Sequence, residues 1–194
     1  MNAVFAQDKR QLVNVLVEEG VLKFENPLFP VYFDLRSPEY SPAGPLTSDL
    51  VGLTALCMWR KLSGLKLSFQ AVAGGSDDLF AKVLADMCGV PFVIPRESYP
   101  SWVNDVLVVD GLAVSADPLV QACRALCREG HVRVKDAFVL VDYQLDALSA
   151  LAGMGVGLHS LFTLSEFLQI CVDEDLMIPN IRDAILLGIS PHQS

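Results

Sequence analysis

Short β-like runs alternate along this chain with segments whose apolar residues recur at helical spacing. Helical spacing marks Phe5 to Glu19, Leu46 to Lys61, Leu79 to Met87, Leu119 to Arg128, Leu145 to Ala152 and Leu164 to Val172, with a last helix after Pro179. Between them lie Val31 to Asp34, Phe69 to Ala73, Phe92 to Ile94, Val106 to Val109, Ala137 to Val141 and Val156 to Leu161, each short enough to be a strand. Such alternation builds βαβ units. A run such as Val106-Leu107-Val108-Val109, apolar at every position, suits a strand covered on both faces. The expected fold is therefore α/β: an open, mainly parallel twisted sheet flanked by helices, with a small helical hood element at the N-terminus.

At 194 residues the chain can bury one continuous core but is short for two ordinary domains, so a single domain over 1–194 is expected. Its longest apolar runs fall far below a membrane-spanning length, and Met1 to Arg10 lacks basic residues ahead of an apolar run. A cytoplasmic location without a membrane partner follows as the expectation. The net charge of −9 disfavours nucleic acid, whose phosphates need clustered Lys and Arg. Cys57, Cys88, Cys123, Cys127 and Cys171 lack zinc-ligand spacing and read as reduced core residues. Cys123 and Cys127 can share a helix face, but no further His or Cys completes a metal set. His131, His159 and His192 form no catalytic triad by sequence.

Parallel open sheets bind ligands beyond the carboxyl ends of their strands. That rule singles out three loops, Gly74 to Asp78, Pro95 to Asp105 and Asp110 to Pro118. Gly74 and Gly75 suit a close-approach turn, Asp110 is placed at the end of its strand, and Ser115 lies in the turn that follows.

Gly20-Val21-Leu22-Lys23-Phe24, Tyr32-Phe33-Asp34-Leu35-Arg36, the Val106 to Asp110 strand, Cys127-Arg128-Glu129-Gly130, Asp136 to Asp142 and Leu158-His159-Ser160-Leu161 occur in a definite order. That series resembles the orotate phosphoribosyltransferases over roughly residues 12 to 172. The resemblance implies a type I phosphoribosyltransferase fold and transfer of ribose 5-phosphate from its pyrophosphate to orotate. It also implies that Lys23, Tyr32 and Phe33 belong to a base pocket, with Gly74, Gly75, Asp110 and Ser115 beside the sugar and its phosphates. Packing in the core is the competing role for Tyr32 and Phe33, and a surface charge that for Lys23.

The departures from that family fall at the ligand loops. Its paired acids and Thr-x-Gly turn read here Asp110-Gly111-Leu112-Ala113-Val114-Ser115-Ala116-Asp117-Pro118, so one acid, the hydroxyl and the glycine are gone. Asp117 and Pro118 read as N-cap and first residue of the next helix, placing a carboxylate where phosphate should bind. Repulsion between unit charges at about 4 Å costs about 1 kcal/mol even in water. Attraction by an exposed helix end is typically below about 1 kcal/mol. Asp77 and Asp78 follow Gly75, and either cap the next helix or hold Mg²⁺. The catalytic loop, Pro95 to Asp105, keeps only Arg96 as a cation, and the family's Asp-Arg-Glu-Gln-Gly segment reads Asp142-Tyr143-Gln144-Leu145-Asp146. No residue is assigned a catalytic or metal-binding role. The chain is expected to be a silent relative, regulatory, scaffolding or a binder of a small nucleotide or pyrimidine, with no cofactor. The alternative is a divergent active enzyme that uses Mg²⁺. By family analogy it forms a homodimer, or a heterodimer with an active relative.

Overall fold

The computed structural model describes residues 3–19, 22–23, 32–33, 48–75, 79–95, 99–128 and 130–189. Two compact units emerge, Met1–Leu53 with Leu164–Ser194, and Thr54–Thr163. Among the described residues, no helix is long and apolar enough to cross a membrane.

The first unit holds helix α1 (Ala3–Glu18), the two-residue strands β1 (Leu22–Lys23) and β2 (Tyr32–Phe33), the start of α2 (Ser48–Leu65), and later α6 (Leu164–Asp173) and α7 (Pro179–Ile189). β1 and β2 are antiparallel, with Leu22 opposite Phe33 and Lys23 opposite Tyr32. The sequence marked only the second of these strands, because Leu22 and Lys23 alone are too short to carry a periodicity. Leu164, Phe167, Leu168 and Cys171 give α6 a buried stripe at helical spacing. Leu12, Val13 and Leu16 do the same on α1. Lys9, almost fully buried on α1, meets Glu166 of α6 at 2.6 Å, and Asn14 Nδ2 donates to Glu174 Oε2 at 3.1 Å. A hydrophobic stripe alone would leave the two helices free to slide; these polar contacts fix their register.

The second unit is a five-stranded parallel sheet in the order β4-β3-β5-β6-β7, as the alternation predicts. Its strands are β3 (Ala71–Gly74), β4 (Phe92–Val93), β5 (Asp105–Ala113), β6 (Arg133–Asp142) and β7 (Gly157–Thr163). Helices α3 (Leu79–Cys88), α4 (Asp117–Cys127) and α5 (Ala147–Ala152) connect them. Ala71, Ala73, Val106, Val108, Ala137 and Val139 share one buried cluster with Leu119, Ala122, Cys123 and Leu126 of α4. The last four recur at helical spacing, and full burial of each leucine stabilises by roughly 1.5–3 kcal/mol.

β5 and β6 outrun their apolar cores. Asp105 pairs in register with Arg133, and its carboxylate holds Arg133 at 3.1 Å and Lys135 at 3.0 Å. Those polar residues extend the ladder where hydrophobicity gave no sign of it. At the other end β5 continues to Ala113, because Leu112 and Ala113 pair with Val141 and Asp142. Asp110 therefore lies inside the strand and not at its carboxyl end, a correction to the sequence expectation.

Candidate functional site at the sheet switch point

From β3 the chain crosses to β4 on one side, then returns past β3 to place β5 on the other. From β5 onward it continues away through β6 and β7. Neighbouring connections thus diverge between β3 and β5, the kind of switch point beside which open parallel sheets bind their ligands.

Gly74, the last residue of β3, pairs with Val109, and the Gly75 N–H donates to the Val109 carbonyl at 2.9 Å. This ladder draws the Gly74-Gly75 turn against Asp110. A methyl group at Gly75 would fall on Asp110 Oδ2, so glycine is the residue that permits this approach. The Asp110 side chain is buried, only 1% exposed, and its Oδ1 accepts the Gly111 N–H at 2.7 Å. Gly74, Gly75 and Asp110 are thereby brought together, while Ser115 is exposed in the turn that leaves β5.

That turn is tied to the end of β6 by two contacts. The Tyr143 N–H donates to the Ala113 carbonyl at 3.2 Å, and the Ala116 N–H donates to Asp146 Oδ1 at 3.2 Å. Helix α4 starts at Asp117 with Ala116 as N-cap and no side-chain cap bond from it, so the expected N-cap role of Asp117 moves by one residue. Asp117 still lies in the acidic first turn, where a carboxylate suits the helix dipole. Asp146 is itself the N-cap of α5 but makes no cap bond with its side chain. Its carboxylate serves α4 instead. The sign in the sequence was the carboxylate that ends Asp142-Tyr143-Gln144-Leu145-Asp146, where the resemblance implies a glycine.

Tyr143, at the position where the resemblance implies an arginine, is buried, and desolvation pushes its hydroxyl well above the usual phenol range. The stretches 110–118 and 142–150 hold Asp110, Asp117, Asp142 and Asp146 and no Lys or Arg. A polyanion there would meet carboxylates with no side-chain cation supplied by either segment.

Elsewhere on the sheet, His159 Nε2 lies 2.8 Å from Asp136 Oδ1. Gly157 makes room for this pair, since a methyl group there would come within 3.1 Å of the same Asp136 oxygen. Lys23 and Tyr32 are partners in the β1–β2 ladder, next to Phe33. The side chains of all three lie outside the described residues, as do Asp77, Asp78, Arg96 and Glu97.

No family model matches the chain. Sequence similarity joins it to the orotate phosphoribosyltransferase of Saccharolobus solfataricus, 36% identical over 81 residues, which are 42% of this chain and 41% of that relative. The crystal structure of the orotate phosphoribosyltransferase from Aeropyrum pernix superposes with a TM-score of 0.62 at 26% identity, over 81% of this chain and 97% of that one. The chain is orotate phosphoribosyltransferase-like in sequence and in fold. Leishmania donovani UMP synthase shares the fold with a TM-score of 0.74 at 21% identity, over 93% of this chain. The match spans only 42% of that longer chain, less than half its length, as with the Saccharolobus relative. The five-stranded parallel sheet with its flanking helices matches the type I phosphoribosyltransferase fold.

Proposed function

We propose that this orotate phosphoribosyltransferase-like protein is catalytically silent and acts as a regulatory or scaffolding subunit, or as a binder of a small nucleotide or pyrimidine. The observation that carries this reading is the burial of Asp110. It is the one acid left of the family's pair, and it is sealed against Gly75 with an oxygen engaged by its own neighbour's amide. A carboxylate in that state is committed to the fold and presents little to a ribose. Gly111 supplies no second acid, Val114 no hydroxyl and Tyr143 no cation. Loss of one preorganised electrostatic donor typically lowers a rate by roughly 100- to 1000-fold, and these losses act on the same transition state. Lys23, Tyr32, Phe33, Gly74, Gly75 and Ser115 remain the proposed contacts for a bound small molecule.

Self-association, with itself or with an active relative, is part of the proposal. Val4, Ile178, Ile181 and Leu187 are exposed apolar residues of the first unit, and covering them in an isologous contact removes that surface from water. Sedimentation at tens of micromolar should give a dimer; a strict monomer would contradict it.

The deciding experiment is an assay for orotidine monophosphate formed from orotate and phosphoribosyl pyrophosphate with Mg²⁺, after removal of any host enzyme. The expected result is background. Ordinary turnover would overturn the silent reading in favour of a divergent enzyme. Thermal-shift screening with pyrimidines and nucleotides then tests ligand binding, because a bound ligand raises the melting temperature by mass action.

A further inference from the structure

We infer that the Asp146 carboxylate is a built-in anion that occupies the mouth of α4 and excludes phosphate from it. This rests on the silent-relative reading and adds a device to it. The first residues of an α-helix leave backbone N–H groups without helical acceptors, and such groups attract anions. At α4 the donor ahead of the helix, the Ala116 N–H, is already taken by Asp146 Oδ1 at 3.2 Å. Pro118 has no N–H, so the mouth begins with one donor fewer than another sequence would give it.

Local geometry does not force Asp146 into this role. An Asp at an N-cap ordinarily turns its carboxylate onto the amides of its own helix. Asp146 instead leaves α5 without a side-chain cap bond and reaches across to α4, while its backbone carbonyl accepts the Ala150 N–H at 3.0 Å and the Ser149 hydroxyl at 2.9 Å. Those bonds fix the main chain from which the side chain extends. The neighbouring bond from the Tyr143 N–H to the Ala113 carbonyl, 3.2 Å, holds the two segments side by side.

Two sequence departures from the family thus become one physical change. Ala116 stands at a glycine of the phosphate turn and Asp146 at a glycine of the later segment, and the structure bonds the backbone of the first to the side chain of the second. A carboxylate supplied by the chain has the advantage of effective concentration over phosphate from solution. It also adds a negative charge beside Asp117.

The test is a titration with inorganic phosphate, against chloride at matched ionic strength, of the unmodified protein and of the Asp146→Ala, Asp146→Asn and Asp117→Ser variants. Thermal melting reports stability, and the amide resonance of Ala116 reports the site. Both Asp146 variants should gain saturable binding at least about fivefold tighter than the unmodified protein, the factor for one well-screened charge at about 4 Å. The Ala116 resonance should move with phosphate in those variants alone. Asp146→Asn keeps the size and a polar group, so it guards against a fold defect in Asp146→Ala. Absence of any gain in both, an equal gain in Asp117→Ser, or saturable binding by the unmodified protein would each overturn the inference. If the Asp146 variants gain nothing while the unmodified protein makes no nucleotide, this inference fails and the silent reading stands. Turnover by the unmodified protein would overturn both.

Discussion

Replacing Gly75 by alanine probes the closeness of β3 to β5 at the switch point. The added methyl group falls on Asp110 Oδ2, and this carboxylate cannot swing away without leaving the Gly111 N–H that its other oxygen accepts at 2.7 Å. Overpacking of this kind costs about 1–3 kcal/mol. At about 2–4 °C per kcal/mol for a chain of this size, a 2 kcal/mol loss lowers the melting temperature by about 4–8 °C. Asp110→Ala removes the obstacle but takes the Oδ1 acceptor from the buried Gly111 amide, which costs about 1–3 kcal/mol. The double variant should therefore be less destabilised than the sum of the single ones by about 1–2 kcal/mol. Urea denaturation of all four proteins measures the coupling. Additivity to within about 0.5 kcal/mol would show that the two residues do not meet, and the account of why glycine stands here would fall.

The buried ammonium of Lys9 gives a second prediction, since Lys9→Ala leaves Glu166 without its 2.6 Å partner while Lys9→Met preserves volume. Removing one partner of a buried pair costs up to about 3–5 kcal/mol, less here because Glu166 is 42% exposed, and both variants bear that loss; Lys9→Ala also empties buried volume, so unfolding should show it clearly weaker than Lys9→Met, and both weaker than the unmodified protein. Asp105 titrates low because Lys135 hydrogen-bonds it, with Arg133 adding its charge. A carboxyl depressed below its ordinary 3.8 stabilises the fold above that pH and loses the contribution as pH falls through the folded value. Lys135→Met should raise the pKa of Asp105 by NMR titration and move the acid-unfolding midpoint to higher pH; unchanged values would refute the link. Burial and the neighbouring Cys127 push the Cys123 thiol up to about 12, whereas Cys127 is exposed, so iodoacetamide at pH 8 should label Cys127 long before Cys123 in mass mapping.

The parallel sheet could be read from the chain because strands alternate with helices and its central strands hold runs, such as Val106 to Val109 and Ala137 to Val141, that suit two-sided burial. Strand ends could not. Arg133 and Lys135 belong to β6 through Asp105, a partner distant in sequence, and Leu112 belongs to β5 through Val141. The adjacency of Gly75 and Asp110 was half visible, since the family resemblance placed both near one ligand but did not say that the carboxylate would be buried. Asp146 was the least legible. Its place before Ala147 reads as an ordinary cap for α5, and only three dimensions show the carboxylate turned to another helix.

The sheet order also bears on how the molecule comes to be folded. β3 and β5 lie side by side although α3 and β4 separate them in the chain, and parallel neighbours cannot zip from a tight hairpin. Their pairing must wait for a long crossover to close, and its loop entropy is lost before any ladder bond forms. Gly75 meets Asp110 only when that closure is complete. A probe placed at this pair would thus follow a late step of folding, and alanine at Gly75 should speed unfolding far more than it slows refolding.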